Sequence, residues 1–185
     1  MKSIESVYKY ENGYYLIETR LNSLDQFFNN LDPSPFHDKD IDDDAEKYII
    51  DSVRAFPTKV PLKLVFYLPI EHHEKASKIL PYAIENYFDF KSKMAYNELK
   101  STLYEGRIAL MLGTIFLIIC IGARAILSFL ADKPFGSILL EGLSIIGWVA
   151  MWRPIQIFLY EWWSLFRKIK VFEKIRDMPI TIYLD

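Results

Sequence analysis

The amino-acid sequence predicts a membrane α-helical hairpin of two transmembrane helices joined to a small cytoplasmic α+β domain. Three observations carry this: two long apolar runs separated by a five-residue turn, cationic residues gathered at one end of both runs, and an N-terminal half that alternates strand and helix patterns.

The first run, IALMLGTIFLIICIGARAILSFLA from Ile108 to Ala131, holds one charge in 24 residues. At about 1.5 Å per residue it exceeds a hydrocarbon core of about 30 Å. After Asp132-Lys133-Pro134-Phe135-Gly136, the run SILLEGLSIIGWVAMWRPIQIFLY from Ser137 to Tyr160 is again long enough, interrupted by Glu141, Arg153 and Pro154. Two buried helices of a globular core are the soluble alternative, but this chain is too short to wrap both. Lys91, Lys93, Lys100 and Arg107 precede the first span, and Arg167, Lys168, Lys170, Lys174 and Arg176 follow the second, whereas the turn offers only Lys133. Cations near membrane ends stay in the cytoplasm, so both termini are expected there, with a multi-pass protein in the plasma (inner) membrane. The opening MKSIESVYKYENGYY has no apolar core of a signal peptide, so insertion is expected to rely on the internal spans. Tyr160, Trp162, Trp163 and Phe166 fall where the second helix leaves the hydrocarbon, as an interfacial aromatic belt does.

Charges inside the spans are the candidate functional residues. Counted outward from the turn, Arg124 and Glu141 reach similar depth. One expectation is an Arg124–Glu141 ion pair, because an unpaired charge in hydrocarbon is costly. A second is that each side chain snorkels to the outer interface. A third is functional, with both residues lining a path formed by several copies. Arg153-Pro154 marks a bend: proline removes a helical hydrogen bond and disfavours helix at the preceding residue. The span is then expected to end or kink at Arg153, to leave Arg153 at the inner headgroup level, and to continue as an interfacial helix through Trp162 and Trp163. Ala109 and Gly113, with Gly142, Gly147 and Ala150, permit close helix contact.

Residues 1–106 form the expected cytoplasmic domain, with a long helix leading into the membrane; 107–163 form the hairpin and interfacial segment; 164–185 form a basic tail with a possible returning strand. Asn12-Gly13 between β-rich runs signals a hairpin of Val7–Tyr10 with Tyr14–Thr19. Ser23 to Phe28 suits a short helix, and Asp42 to Phe56 a longer one, with Ala45, Tyr48, Ile49, Val53 and Phe56 on one face. Leu62–Leu68 reads as a strand. Glu71–Glu105 reads as mostly helix with a bend at Pro81, and Pro179–Leu184 as an edge strand of the same sheet.

Composition narrows function. Met1 to Arg107 carries 14 Lys/Arg against 18 Asp/Glu, which leaves no basic face for nucleic acid. Cys120 is the single cysteine and lies in an apolar run, so no disulfide framework is expected. The carboxylates Asp38, Asp40, Asp42 and Asp44 alternate like the start of a calcium loop, but Asp43 stands where such a loop requires glycine and Ile49 where it requires glutamate. They read as helix-start acids or, less simply, as a cation site or a surface for a basic partner. His72-His73-Glu74 places its histidines side by side rather than one turn apart, and no G-x-S-x-G, phosphate-loop or dinucleotide motif occurs. The expectation is therefore a non-enzymatic protein without cofactors that associates with itself in the bilayer. It would act as a scaffold or as an anchor for another membrane or cytoplasmic protein. A small oligomeric channel lined by Arg124 and Glu141 is the rival, and a membrane-tethered cation sensor the weaker third.

Overall fold

Asn12 and Gly13 set the first turn of the computed structural model, which describes residues 7–36 and 39–184. Both take positive φ, 51° and 89°, the backbone that a two-residue turn between right-twisted strands requires. They join strand β1 (Tyr10–Glu11) to β2 (Tyr14–Arg20) as an antiparallel pair. Strand β3 (Leu62–Leu68) lies parallel to β2, with Ile17 opposite Leu64 and Arg20 opposite Tyr67. Strand β4 (Ile180–Leu184) lies parallel to β3 on its other side. The order is β1-β2-β3-β4, so the C-terminal strand does occupy a sheet edge, in parallel with its neighbour.

Parallel neighbours need long crossovers. The first, from β2 to β3, contains a 3-10 turn at Leu24–Phe27 and helix α1 (Asp43–Arg54). Asp42 caps α1, its carboxylate accepting the Asp44 N–H at 3.0 Å, and Asp43, Asp44 and Glu46 occupy the first turn where the helix dipole favours acids. The second crossover, from β3 to β4, holds the rest of the chain. Helix α2 (Ile70–Ile126) is followed by a 3-10 turn at Leu127–Leu130, then helices α3 (Pro134–Val149) and α4 (Trp152–Gln156), a π-helical turn at Ile157–Glu161, and α5 (Trp162–Arg176). Helix α2 continues through Pro81, whose missing N–H leaves the Ser77 carbonyl without its helical donor.

The chain divides into two compact units, one of Met1–Ala95 with Arg167–Asp185 and one of Tyr96–Phe166. The tail thus belongs to the sheet-bearing unit. Its core is aromatic and aliphatic: Ile17, Leu64, Phe66 and Leu68 from the sheet, Leu80, Ile84 and Phe88 from α2, and Phe27 are all fully buried. Phe27 meets Phe66 edge-on at 5.3 Å between centroids, and Phe88 meets Phe172 of α5 at 6.0 Å. Arg176 binds Asp89 at 3.3 Å, tying the end of α5 to α2 within the same unit.

The second unit contains the distal part of α2 and the returning helices. The structure has two helices long and apolar enough to cross a membrane, Ile70–Leu130 and Phe135–Arg176, counted through their short irregular turns. Only 11% and 17% of their apolar windows are buried.

Candidate functional site in the apolar hairpin

The two arms of the hairpin meet along a seam. On α2 it is formed by Gly113, Leu117, Cys120 and Arg124, spaced by four, three and four residues; on the returning arm by Leu140, Ser144, Gly147, Ala150 and Pro154. Helical spacing of this kind keeps a stripe on one face. Backbone comes close where glycine allows it. A Cβ on Gly113 would stand 2.8 Å from the Ala150 carbonyl oxygen, and one on Gly147 would stand 3.0 Å from Leu117 and 3.1 Å from Cys120. Of the small residues singled out in the sequence, Gly113, Gly147 and Ala150 are therefore in the seam, whereas Gly142 faces open space.

Pro154 explains why Ala150 presents its carbonyl. Residue 154 would normally donate to the oxygen of residue 150; proline has no N–H, and its ring crowds that carbonyl. The helix accordingly breaks at Ala150–Met151, after α3 ends at Val149, and restarts as α4 at Trp152. The break thus falls before Arg153, because proline acts on the turn preceding it. Arg153 itself binds Glu161 at 2.5 Å across the π-helical turn. A helix continues beyond it, and Trp162, Trp163 and Phe166 cluster there: the two indoles meet edge-on at 5.6 Å, and Trp163 stacks near Phe166 at 6.4 Å.

Arg124 is exposed and donates from Nη1 to Ser144 Oγ at 2.8 Å. Ser144 in turn donates to the Leu140 carbonyl at 3.1 Å, so its hydroxyl is engaged on both sides. The expected pair with Glu141 does not form within the chain. Glu141 lies within a turn of Ser144 in depth but on another face. Its neighbours at helical spacing are Ile138, Ile145 and Trp148, 69%, 58% and 69% exposed, whereas the seam runs through Leu140, Ser144 and Gly147. Among the described residues, the Glu141 carboxylate has no hydrogen bond or ion pair.

The acidic segment is structural in what can be described of it. Asp38 lies outside the described residues, as does His37. Asp42 is the α1 cap, Asp44 supplies the N–H it accepts, and the Asp40 N–H is held by Asp32 Oδ2 at 2.7 Å. The Asp40 and Ser34 N–H groups hold the Asp32 carboxyl below the ordinary carboxylate range. Among the described residues, no group of three or more His, Cys, Asp or Glu is placed to hold a metal ion. A cleft of about 430 Å³ beside this loop is lined by Asp32, Lys39, Asp40, Asn86, Tyr87 and Phe90. His72 and His73 form no pair; His73 Nε2 lies 3.4 Å from the Ile182 carbonyl on strand β4.

Sequence reasoning did not find several polar partners. Glu46 accepts from the Tyr87 hydroxyl at 2.7 Å and pairs with Lys91 at 3.1 Å. Burial, and then that hydrogen bond, push the Tyr87 hydroxyl well above its ordinary value. Glu18 accepts from Lys9 at 2.8 Å and from Tyr67 at 2.6 Å; burial raises its pKa, but these two bonds outweigh it and leave the carboxyl lowered. These partners are 9 to 49 residues apart, beyond any local pattern. In comparison with known proteins, no protein-family model, no curated protein and no solved structure matches the chain.

Proposed function

We propose that the protein is a non-enzymatic integral membrane scaffold. Its hairpin crosses the plasma membrane twice, its sheet-bearing unit lies in the cytoplasm, and copies associate to hold a protein partner at the bilayer. The observation that carries this reading is the exposure of the apolar arms. Ile118, Ile119 and Ile121 on α2 are 59–62% exposed, and a continuous apolar surface of this kind is covered in a soluble protein and bathed in lipid in a membrane one.

Connectivity supports the topology. Strands β3 and β4 are hydrogen-bonded neighbours, and the whole hairpin is inserted between them. A chain that leaves one sheet and returns to the same sheet must cross a bilayer an even number of times. The cations flanking both arms favour the cytoplasm for the shared side. The channel alternative requires Arg124 and Glu141 to face one path, whereas Arg124 reaches across the hairpin to Ser144 and Glu141 lies on a separate exposed stripe, a geometry that favours contacts over conduction.

Extraction and mass test this reading together. The full chain is expected to stay in the membrane pellet through alkaline carbonate washing and to give a nanodisc particle containing more than one copy. Release by carbonate would overturn the membrane assignment, and a single copy per particle would overturn the scaffold.

A further inference from the structure

Glu141 stands within an apolar run of the hairpin, amid exposed apolar side chains, and among the described residues its carboxylate has no partner in its own chain. The stripe it shares with Ile138, Ile145 and Trp148 faces away from the seam. On the reading above this stripe faces lipid, where an unpartnered carboxylate is costly enough that such residues are normally paired. Arg124 has the complementary charge, and the one side-chain hydrogen bond it makes among the described residues, to Ser144, leaves most of its five N–H donors unused.

We propose that copies of the hairpin join through an ion pair between subunits, Arg124 of one copy with Glu141 of the next. This rests on the membrane-scaffold reading and names the contact that would hold the scaffold together. Depth is the first argument. Arg124 reaches Ser144, and Glu141 is three residues from Ser144, so the two charges lie within about one helical turn along the membrane normal. Copies inserted in one orientation and related by an axis along that normal keep every residue at its depth, so depth lets Arg124 of one copy reach Glu141 of a neighbour. Access is the second argument. Gly122 and Gly142 flank the charges, and a Cβ on either would meet nothing within 4 Å, which leaves room for a neighbouring backbone to approach.

The test uses the full chain in nanodiscs, with two populations carrying different fluorophores and association read by energy transfer. Glu141→Arg alone and Arg124→Glu alone are each expected to weaken self-association about tenfold or more, as loss of a polar contact between membrane helices and its replacement by like charges would do. Mixed together, the two variants restore association with each other, because each Arg then faces a Glu; this rescue also shows that both variants are folded. Glu141→Gln, which keeps the shape and removes the charge, is expected to weaken association without preventing insertion. A wild-type chain that is single in nanodiscs overturns the scaffold reading and this contact with it. Wild-type assembly unaffected by either reversal overturns the contact alone and assigns Glu141 to the outer interface. Weakened singles that do not rescue one another overturn the Arg124–Glu141 pairing in favour of another partner for Glu141.

Discussion

Phe27, Phe28, Phe66 and Phe88 in the sheet-bearing unit are at most 1% exposed, whereas Phe129, Phe135, Trp148 and Trp152 in the hairpin are 69–79% exposed. The same class of side chain is sorted oppositely in two parts of one chain. In the first unit, water drives aromatic rings inward, and each buried ring removes a large apolar area from solvent. In the second unit little is buried; the buried residues include Gly113, Cys120 and Gly147, with Leu140, Pro154 and Ile157. Glycine there lets the backbones come close and Arg124 hydrogen-bonds across to Ser144, features common where helices pack in lipid.

The contrast yields predictions of decreasing size. Phe88→Ala empties a fully enclosed position and is expected to cost about 3–5 kcal/mol, read as a lower denaturation midpoint of the sheet-bearing unit in detergent. Ile145→Ala on the exposed stripe is expected to stay within about 0.5 kcal/mol; comparable losses at the two sites would erase the distinction between the units. Gly113→Ala pushes a methyl group against the Ala150 carbonyl and is expected to destabilise the hairpin by about 1–3 kcal/mol, whereas Gly142→Ala, which meets nothing, is expected to leave it unchanged. Thermal unfolding of the two variants in the same detergent separates them. Tyr87→Phe removes the hydroxyl from the half-buried Glu46 and is expected to cost about 1 kcal/mol by chemical denaturation.

The smallest effect depends on pH. Asp32 is held below its ordinary value by the Asp40 and Ser34 N–H groups, so its stabilising contribution is complete above the usual carboxylate pKa of about 4 and disappears as pH falls through the lowered folded value. The stability difference between wild type and Asp32→Asn is therefore expected at neutral pH and should vanish in acid. A gap that persists at low pH would mean that the Asp32 carboxylate's charge does not matter.

Local chemistry made the elements legible and left their pairing obscure. Asn12-Gly13 names its own turn because few residues tolerate positive φ, and Leu62–Leu68 stands out as a strand bounded by prolines. Alternation shows which residues share a face of a strand, but carries no record of its neighbour, so the parallel placement of β2, β3 and β4 came only from the structure. Counting from the turn puts Arg124 and Glu141 at similar distances from it but carries no record of the face, since one residue along a helix turns the side chain by about 100°. Pro154 announces a disturbance without fixing its position: the helix breaks at Ala150–Met151, where the missing N–H leaves the Ala150 carbonyl without its helical donor. The partnership of Arg153 with Glu161 crosses a π-helical turn that no periodicity announces.

Side-specific labelling tests the topology most directly. With Cys120 replaced by alanine, single cysteines are introduced at Asp132 in the turn, at Asn22 in the loop after β2, and at Glu173 in α5, and intact cells are treated with a membrane-impermeant maleimide. The topology proposed here predicts that only the cysteine at 132 is labelled before lysis and that all three are labelled afterwards. Labelling of 22 or 173 in intact cells, or protection of 132, would contradict a two-span hairpin with its sheet-bearing unit in the cytoplasm.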